Sequence, residues 1–101
     1  MKIATWNVNS LKVRLPHLLD WLAAAQPDAL CLQELKLEDQ NFPKADIEAT
    51  GYHVAFSGQK TYNGVALLAR EPIHDVLCGN PHFPDEQKRL ISGTIGDTRI
   101  V

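Results

Sequence analysis

Cysteine and methionine are scarce in this chain, with two of the first and one of the second. Cys31 and Cys78 are far apart and Cys31 lies in an apolar run. A buried unbridged thiol is therefore expected at Cys31 rather than a disulfide, which suits a reducing compartment. The four histidines share no ligand spacing with each other or with the cysteines, which argues against zinc. A basic excess is also missing. Ten Lys and Arg stand against twelve Asp and Glu, a net charge of −2, so any contact with nucleic acid has to come from a local patch. No block of like charges forms a tail, no apolar run is long enough to span a bilayer, and residues 1–9 lack the apolar core of a secretory signal. A cytoplasmic protein with no membrane contact is expected.

What is present is the composition of an ordinary globular protein, 45% hydrophobic and 22% charged over 101 residues. That length fits one small domain or a lobe of a larger one. Residues 2–6 read as a short buried strand, interrupted by the turn formers Asn7, Asn9 and Ser10. Leu15, Leu18, Leu19 and Leu22 follow at the spacing of one helix face. Pro16 confines the helix start, because proline is tolerated only in the first turn. Gln26-Pro27-Asp28 ends the helix, and residues 29–32 form an unbroken apolar run, the pattern of a strand covered on both faces. Strand, helix and strand in this order make a βαβ unit with parallel strands.

Beyond Glu34 the chain is polar up to Phe42-Pro43. A short helix is predicted over residues 45–49, closed by Gly51. Residues 52–56 and 65–69 are predicted strands of a hairpin with a long loop, 57–64. Residues 73–77 and 90–95 are further strand candidates, separated by a Gly79-Asn80-Pro81 turn and an acidic stretch around Asp85 and Glu86. Gly96-Asp97 is a hairpin turn signal leading to a strand start at 98–101.

Parallel pairing of the first two strands would carry Asn7 and Glu34 past neighbouring carboxyl ends, where ligands bind in α/β sheets. Strands lie about 4.8 Å apart, so a carboxylate and an amide there could share one hard cation, magnesium above all. Spacing alone leaves open the other reading, a solvated acid and a turn residue. Residues 58–64 combine Lys60, Tyr62 and glycines that let a backbone approach closely, a composition able to clasp a phosphodiester chain. A tight Asn63-Gly64 turn with an exposed lysine accounts for the same residues. For Arg89, pairing with Asp85 or Glu86 is favoured over a phosphate contact.

Trp6-Asn7-Val8-Asn9-Ser10-Leu11, Gln26-Pro27-Asp28 and Leu32-Gln33-Glu34-Leu35-Lys36 resemble the opening of the exonuclease III and abasic-site endonuclease family. Gly51-Tyr52, Gly58-Gln59-Lys60, Tyr62-Asn63-Gly64-Val65-Ala66-Leu67-Leu68 and Arg89-Leu90-Ile91 continue the resemblance in order, over the whole chain. The resemblance implies an α/β fold, a four-layer sandwich of two packed mixed β-sheets flanked by helices. Residues 1–101 would be the amino-terminal part of its one domain. It implies that Asn7 and Glu34 belong to the metal and catalytic centre, with Glu34 a direct ligand of Mg²⁺, for which Mn²⁺ can substitute. It places Asn9, Lys60, Tyr62, Asn63 and Gly64 at the DNA, with Gln33 and Lys36 in support. Ser10 departs from the family pattern, which commonly has glycine there. The implied activity is hydrolysis of DNA phosphodiesters, at abasic sites and from 3′ ends of duplex DNA, by a monomeric enzyme. The family's remaining catalytic residues, a tyrosine, an aspartate with a nearby asparagine and an aspartate-histidine pair, have no counterpart in residues 1–101. The chain alone would then be inactive. Two alternatives stand beside this expectation: a phosphodiesterase or phosphatase of the same fold with another substrate, and a short protein that binds DNA or a partner without catalysis.

Overall fold

The computed structural model describes residues 1–79 and 88–101. Among them are two helices and two sheets. Strand β1 (Ile3–Asn7), helix α1 (Leu11–Ala25) and strand β2 (Ala29–Gln33) form the expected βαβ unit. β1 and β2 run parallel, with Ile3 opposite Ala29 and Asn7 opposite Gln33. A single 3-10 turn (Asp39–Asn41) and the short helix α2 (Lys44–Glu48) follow, then β3 (His53–Ser57) and β4 (Val65–Ala69). The order of the first sheet is β1-β2-β4-β3. β4 is antiparallel to both neighbours and brings Val65 opposite Gln33 on one side and Ser57 on the other. Asn7, Gln33, Val65 and Ser57 thus form one row across the sheet, and the connections beyond that row gather at a single edge.

β5 (His74–Cys78), β6 (Ile91–Ile95) and β7 (Thr98–Ile100) make the second sheet. The family resemblance led to an expectation of two mixed sheets. Here the first is mixed and the second is antiparallel throughout its described strands. The reason is local for β6 and β7, since a tight turn at Gly96-Asp97 can join only antiparallel neighbours. Asn80-Pro81 of the expected turn, and Asp85 and Glu86 of the expected pairing with Arg89, lie outside the described residues.

β4 explains how the layers join. Its five residues are all buried, because alternate side chains enter different cores. Ala66 and Leu68 pack with Leu18 and Leu22 of α1 and with Leu30 and Leu32 of β2. Leu67 and Ala69 face the other way and pack with Ile95 and Ile100 of the second sheet. Gly93 permits that approach: a Cβ there would lie 2.6 Å from Ile73 Cγ2 and 3.0 Å from a Leu67 methyl. Cys31 is only half-buried rather than fully enclosed, although burial still pushes its thiol pKa up. Neither cysteine is in a disulfide.

The expected leucine face of α1 is present, with Leu18 and Leu22 fully buried and Leu15 and Leu19 against the same core. The start is earlier than the proline suggests. The helix begins at Leu11, so Pro16 sits in its second turn. Leu11 is completely buried and its N–H donates to Leu35 O at 2.9 Å, which fixes the first turn from outside the helix. Pro16 leaves the Lys12 carbonyl without its helical donor, but both residues are exposed, so water can serve that carbonyl. Gln26 ends the helix in the left-handed conformation, its N–H returning to Leu22 O at 3.1 Å.

Two stability outcomes follow from these contacts. Ser10, at the helix N-cap, makes no side-chain cap bond and has φ of 90°, a conformation that strains any residue with a Cβ. Ser10→Gly should raise stability by about 1 kcal/mol, read as a higher denaturant midpoint. Tyr52 is buried and its hydroxyl donates to Pro27 O at 2.6 Å. Burial raises its pKa; nearby Arg70 lowers it and Asp28 raises it. A raised folded-state pKa contributes stability that is complete below the ordinary tyrosine value and lost as pH rises through the folded one. Unfolding titrations above about pH 10 should therefore show an alkaline loss that Tyr52→Phe diminishes, at a cost of about 1 to 2 kcal/mol near neutrality.

Candidate active site

The edge beyond the Asn7–Gln33–Val65–Ser57 row is built around the turn 34–36. Its backbone is bonded on two sides. The Glu34 and Leu35 carbonyls accept from Ser10 N–H and Leu11 N–H, both at 2.9 Å. Leu35 N–H and Lys36 N–H donate to Gly64 O at 3.2 Å and Asn63 O at 2.9 Å. Glu34 and Lys36 have φ of 55° and 57°, and Asn9 and Asn63 are also left-handed. Such conformations are uncommon for residues with side chains and persist where the surroundings over-determine them. Here the bonds to the neighbouring loops and the fully buried Leu35 side chain supply that constraint.

The side chains form a linked set. Asn7 Nδ2 donates to Glu34 Oε2. Asn7 Oδ1 accepts from Asn9 N–H at 3.1 Å, Lys36 Nζ donates to Asn9 Oδ1 at 2.5 Å, and the same Nζ lies 4.0 Å from Glu34 Oε1. The expected convergence of Asn7 and Glu34 is therefore present, but in one particular sense. Because Asn9 N–H holds the Asn7 oxygen, the amide turns its nitrogen toward the carboxylate. Asn7 as arranged steadies Glu34 through its nitrogen, while its oxygen accepts one bond from Asn9 N–H. The Glu34 side chain is 42% exposed, so a charged partner can reach it from solvent.

Asn7, Glu34, Asn63, Gly64, Lys88 and Arg89 border a cleft of about 330 Å³. A larger groove of about 610 Å³ abuts the same turn, bordered by Ser10, Lys12, Lys36, Glu38 and Lys60. The residues singled out by sequence thus divide. Asn63 and Gly64 join Asn7 and Glu34, whereas Lys60 borders the second groove and Tyr62 is 68% exposed. Asn9 touches the set through Asn7 and Lys36. Lys88 was not singled out, and nothing in its immediate sequence marks it; Gly64 N–H reaches its carbonyl at 2.7 Å. Gln33 donates to Thr5 Oγ1 at 2.8 Å, which ties β2 to β1 beside the site.

Among the described residues no group of three or more His, Cys, Asp or Glu side chains could surround a metal. The donor set at the cleft is one carboxylate with neighbouring amides. That suits a hard cation held by one protein carboxylate with water and substrate oxygens, and does not suit a closed zinc cage.

Residues 4–100 match the model of the Endonuclease/Exonuclease/phosphatase family. The chain is 42% identical over 93 residues to exodeoxyribonuclease III of Haemophilus influenzae, covering 90% of this chain and 34% of that protein. It is 32% identical over 108 residues to the zebrafish (Danio rerio) DNA repair nuclease APEX1, covering 100% and 34%. Among solved structures, a 3′-5′ exonuclease from Neisseria meningitidis superposes with a TM-score of 0.95 at 52% identity, covering 98% of this chain and 39% of that one. An AP endonuclease from Archaeoglobus fulgidus superposes at 0.91 with 46% identity, covering 96% and 38%. The chain spans little more than a third of the length of these relatives. With the Asn7–Glu34 pair at the sheet edge and a family match over nearly its whole length, the chain belongs to the exonuclease III/AP endonuclease group of the Endonuclease/Exonuclease/phosphatase family.

Proposed function

We propose that this chain is the amino-terminal portion of a Mg²⁺-dependent DNA phosphodiester hydrolase of the exonuclease III type. Such an enzyme trims duplex DNA from 3′ ends and cuts it at abasic sites in base excision repair, as a cytoplasmic monomer. The observation that carries this reading is the Glu34 carboxylate, fixed at the sheet edge by Asn7 and open to a cleft with two basic residues on its rim. The similarity to a Neisseria 3′ phosphatase determined with its product DNA hairpin, 52% identical with a TM-score of 0.95, supports DNA as the substrate class. In the whole protein further strands and helices would complete a four-layer sandwich.

Each residue then has a task. Glu34 holds the cation, and Asn7 keeps the carboxylate aimed by donating to its second oxygen. Mg²⁺, or Mn²⁺ in its place, supplies charge stabilisation for the phosphate and the leaving oxygen. Asn9 and Lys36 brace Asn7 and Glu34 from behind. Asn63 and Gly64 present backbone close to the bound phosphodiester, while Lys60 and Tyr62 contact the strand further along. Lys12, Lys36 and Lys60 around the adjoining groove give a locally basic path despite the net charge of −2. The base that activates water comes from residues outside 1–101, so these residues alone should show no cleavage.

Cleavage of a duplex with one abasic site by the full-length protein tests this. Glu34→Gln should lower kcat/KM by about 100-fold or more and weaken Mg²⁺ binding followed by calorimetry. Asn7→Ala should cost about 10- to 100-fold, the range for a residue that orients a ligand. In the double variant the losses should not add, because both act on one carboxylate. Full activity in Glu34→Gln refutes the assignment. A 3′-phosphorylated duplex assayed in parallel distinguishes a phosphatase of the same fold.

A further inference from the structure

The cleft beside Glu34 has two rims that are distant in sequence. One is Asn63-Gly64, at the end of the loop between β3 and β4; the other is Lys88-Arg89, leading into β6. Gln59, which borders neither groove by itself, connects them. Its side-chain oxygen accepts from Lys88 N–H at 2.8 Å and from Asn63 Nδ2 at 3.3 Å. Gly64 N–H completes the junction by donating to Lys88 O at 2.7 Å.

The loop carrying Gln59 is itself fixed at its start. Gly58 N–H donates to Asp39 Oδ1 at 2.6 Å, and a Cβ at Gly58 would lie 2.4 Å from Leu37 O. Gln59 is therefore held on a short tether, and its carbonyl oxygen has both lone pairs engaged by the two rims. The engaged Lys88 N–H is immediately ahead of Arg89, so this bond, together with the one from Gly64 N–H to Lys88 O, sets where Lys88 and Arg89 stand relative to Glu34.

From this we infer that Gln59 is a positioning residue that holds Lys88 and Arg89 at the cleft, so that they meet the phosphate of a DNA strand bound over Glu34. The inference rests on the function proposed above. Gln59 touches neither substrate nor cation; it acts through the backbone of residue 88. Without its oxygen, the Lys88 N–H and the Asn63 amide lose their acceptor, the rims are left joined by the Gly64–Lys88 bond alone, and the phosphate contact weakens while the Glu34 centre keeps its own bonds.

The test compares Gln59→Met, which keeps length but removes the acceptor, with Gln59→Glu, which keeps an oxygen in place. In DNA-free full-length protein, hydrogen exchange of the Lys88 amide should accelerate about tenfold in Gln59→Met, the effect of losing one such bond, and stay near the parent rate in Gln59→Glu. In the abasic-duplex assay Gln59→Met should raise KM about tenfold with kcat within about twofold. Unchanged exchange at Lys88 in Gln59→Met overturns the inference, and so does faster exchange with an unchanged KM, since the bond would then serve the fold alone. If Gln59→Met does not fold, loss of Lys88 protection in Gln59→Glu overturns it as well. A parent protein that cleaves no DNA refutes the proposed function instead, and the exchange arm still decides whether Gln59 holds residue 88.

Discussion

Everything at the functional edge hangs on the backbone of residues 34–36. One short turn uses its carbonyls to start α1 and its N–H groups to hold the loop ahead of β4. The N-terminus of a helix, the end of β2 and the mouth of a hairpin are thereby fixed to one another within a few residues. Helix starts normally satisfy their N–H groups with a side-chain cap. Ser10 makes none, and the turn supplies backbone carbonyls instead. The consequence is a rigid seat for Glu34, whose own strained dihedral is maintained by bonds made through its neighbours.

The charge distribution follows the same economy of place. The chain as a whole is slightly acidic, yet Lys12, Lys36 and Lys60 border one groove and Lys88 and Arg89 the adjoining cleft. Lys36 belongs to both arguments. It braces Asn9 and stands 4.0 Å from Glu34, partly exposed, so the pair is screened and contributes little to stability. With Asn7 donating to the other oxygen, it leaves the Glu34 carboxylate flanked by a donor on one side and a cation on the other.

Much of this was legible in the sequence, and the illegible parts have identifiable causes. The Asn7–Glu34 meeting follows from the strand-helix-strand order once β1 and β2 pair as neighbours, because parallel neighbours end side by side. The leucine spacing gave the buried face of α1, though the start at Leu11 depended on a distant partner, Leu35, that no local rule about Pro16 could foresee. The direction of the Asn7 amide depends on one bond to Asn9 N–H, a matter of ångströms rather than of residue type. Lys88 reaches the cleft through Gln59 and Gly64, across a separation at which ordinary polar residues leave no pattern. The strand periods told nothing about how the second sheet is paired, since alternation is the same in parallel and antiparallel strands.

The position of β4 between β2 and β3 has a consequence for the chain as it leaves the ribosome. β1, α1 and β2 can associate as soon as they are made, but the far edge of β2 must wait for residues 65–69, and at ordinary synthesis rates that wait lasts a few seconds. During it the nascent protein presents an apolar, hydrogen-bonding border whose natural neighbour does not yet exist, and β3 emerges first without being the right one. Early closure of β2 on β3 is thus the mispairing this topology invites. In the folded chain the Phe42–Phe56 ring stack, centroids 4.0 Å apart, ties β3 to the segment that follows Glu34, and β4 occupies the place between β2 and β3.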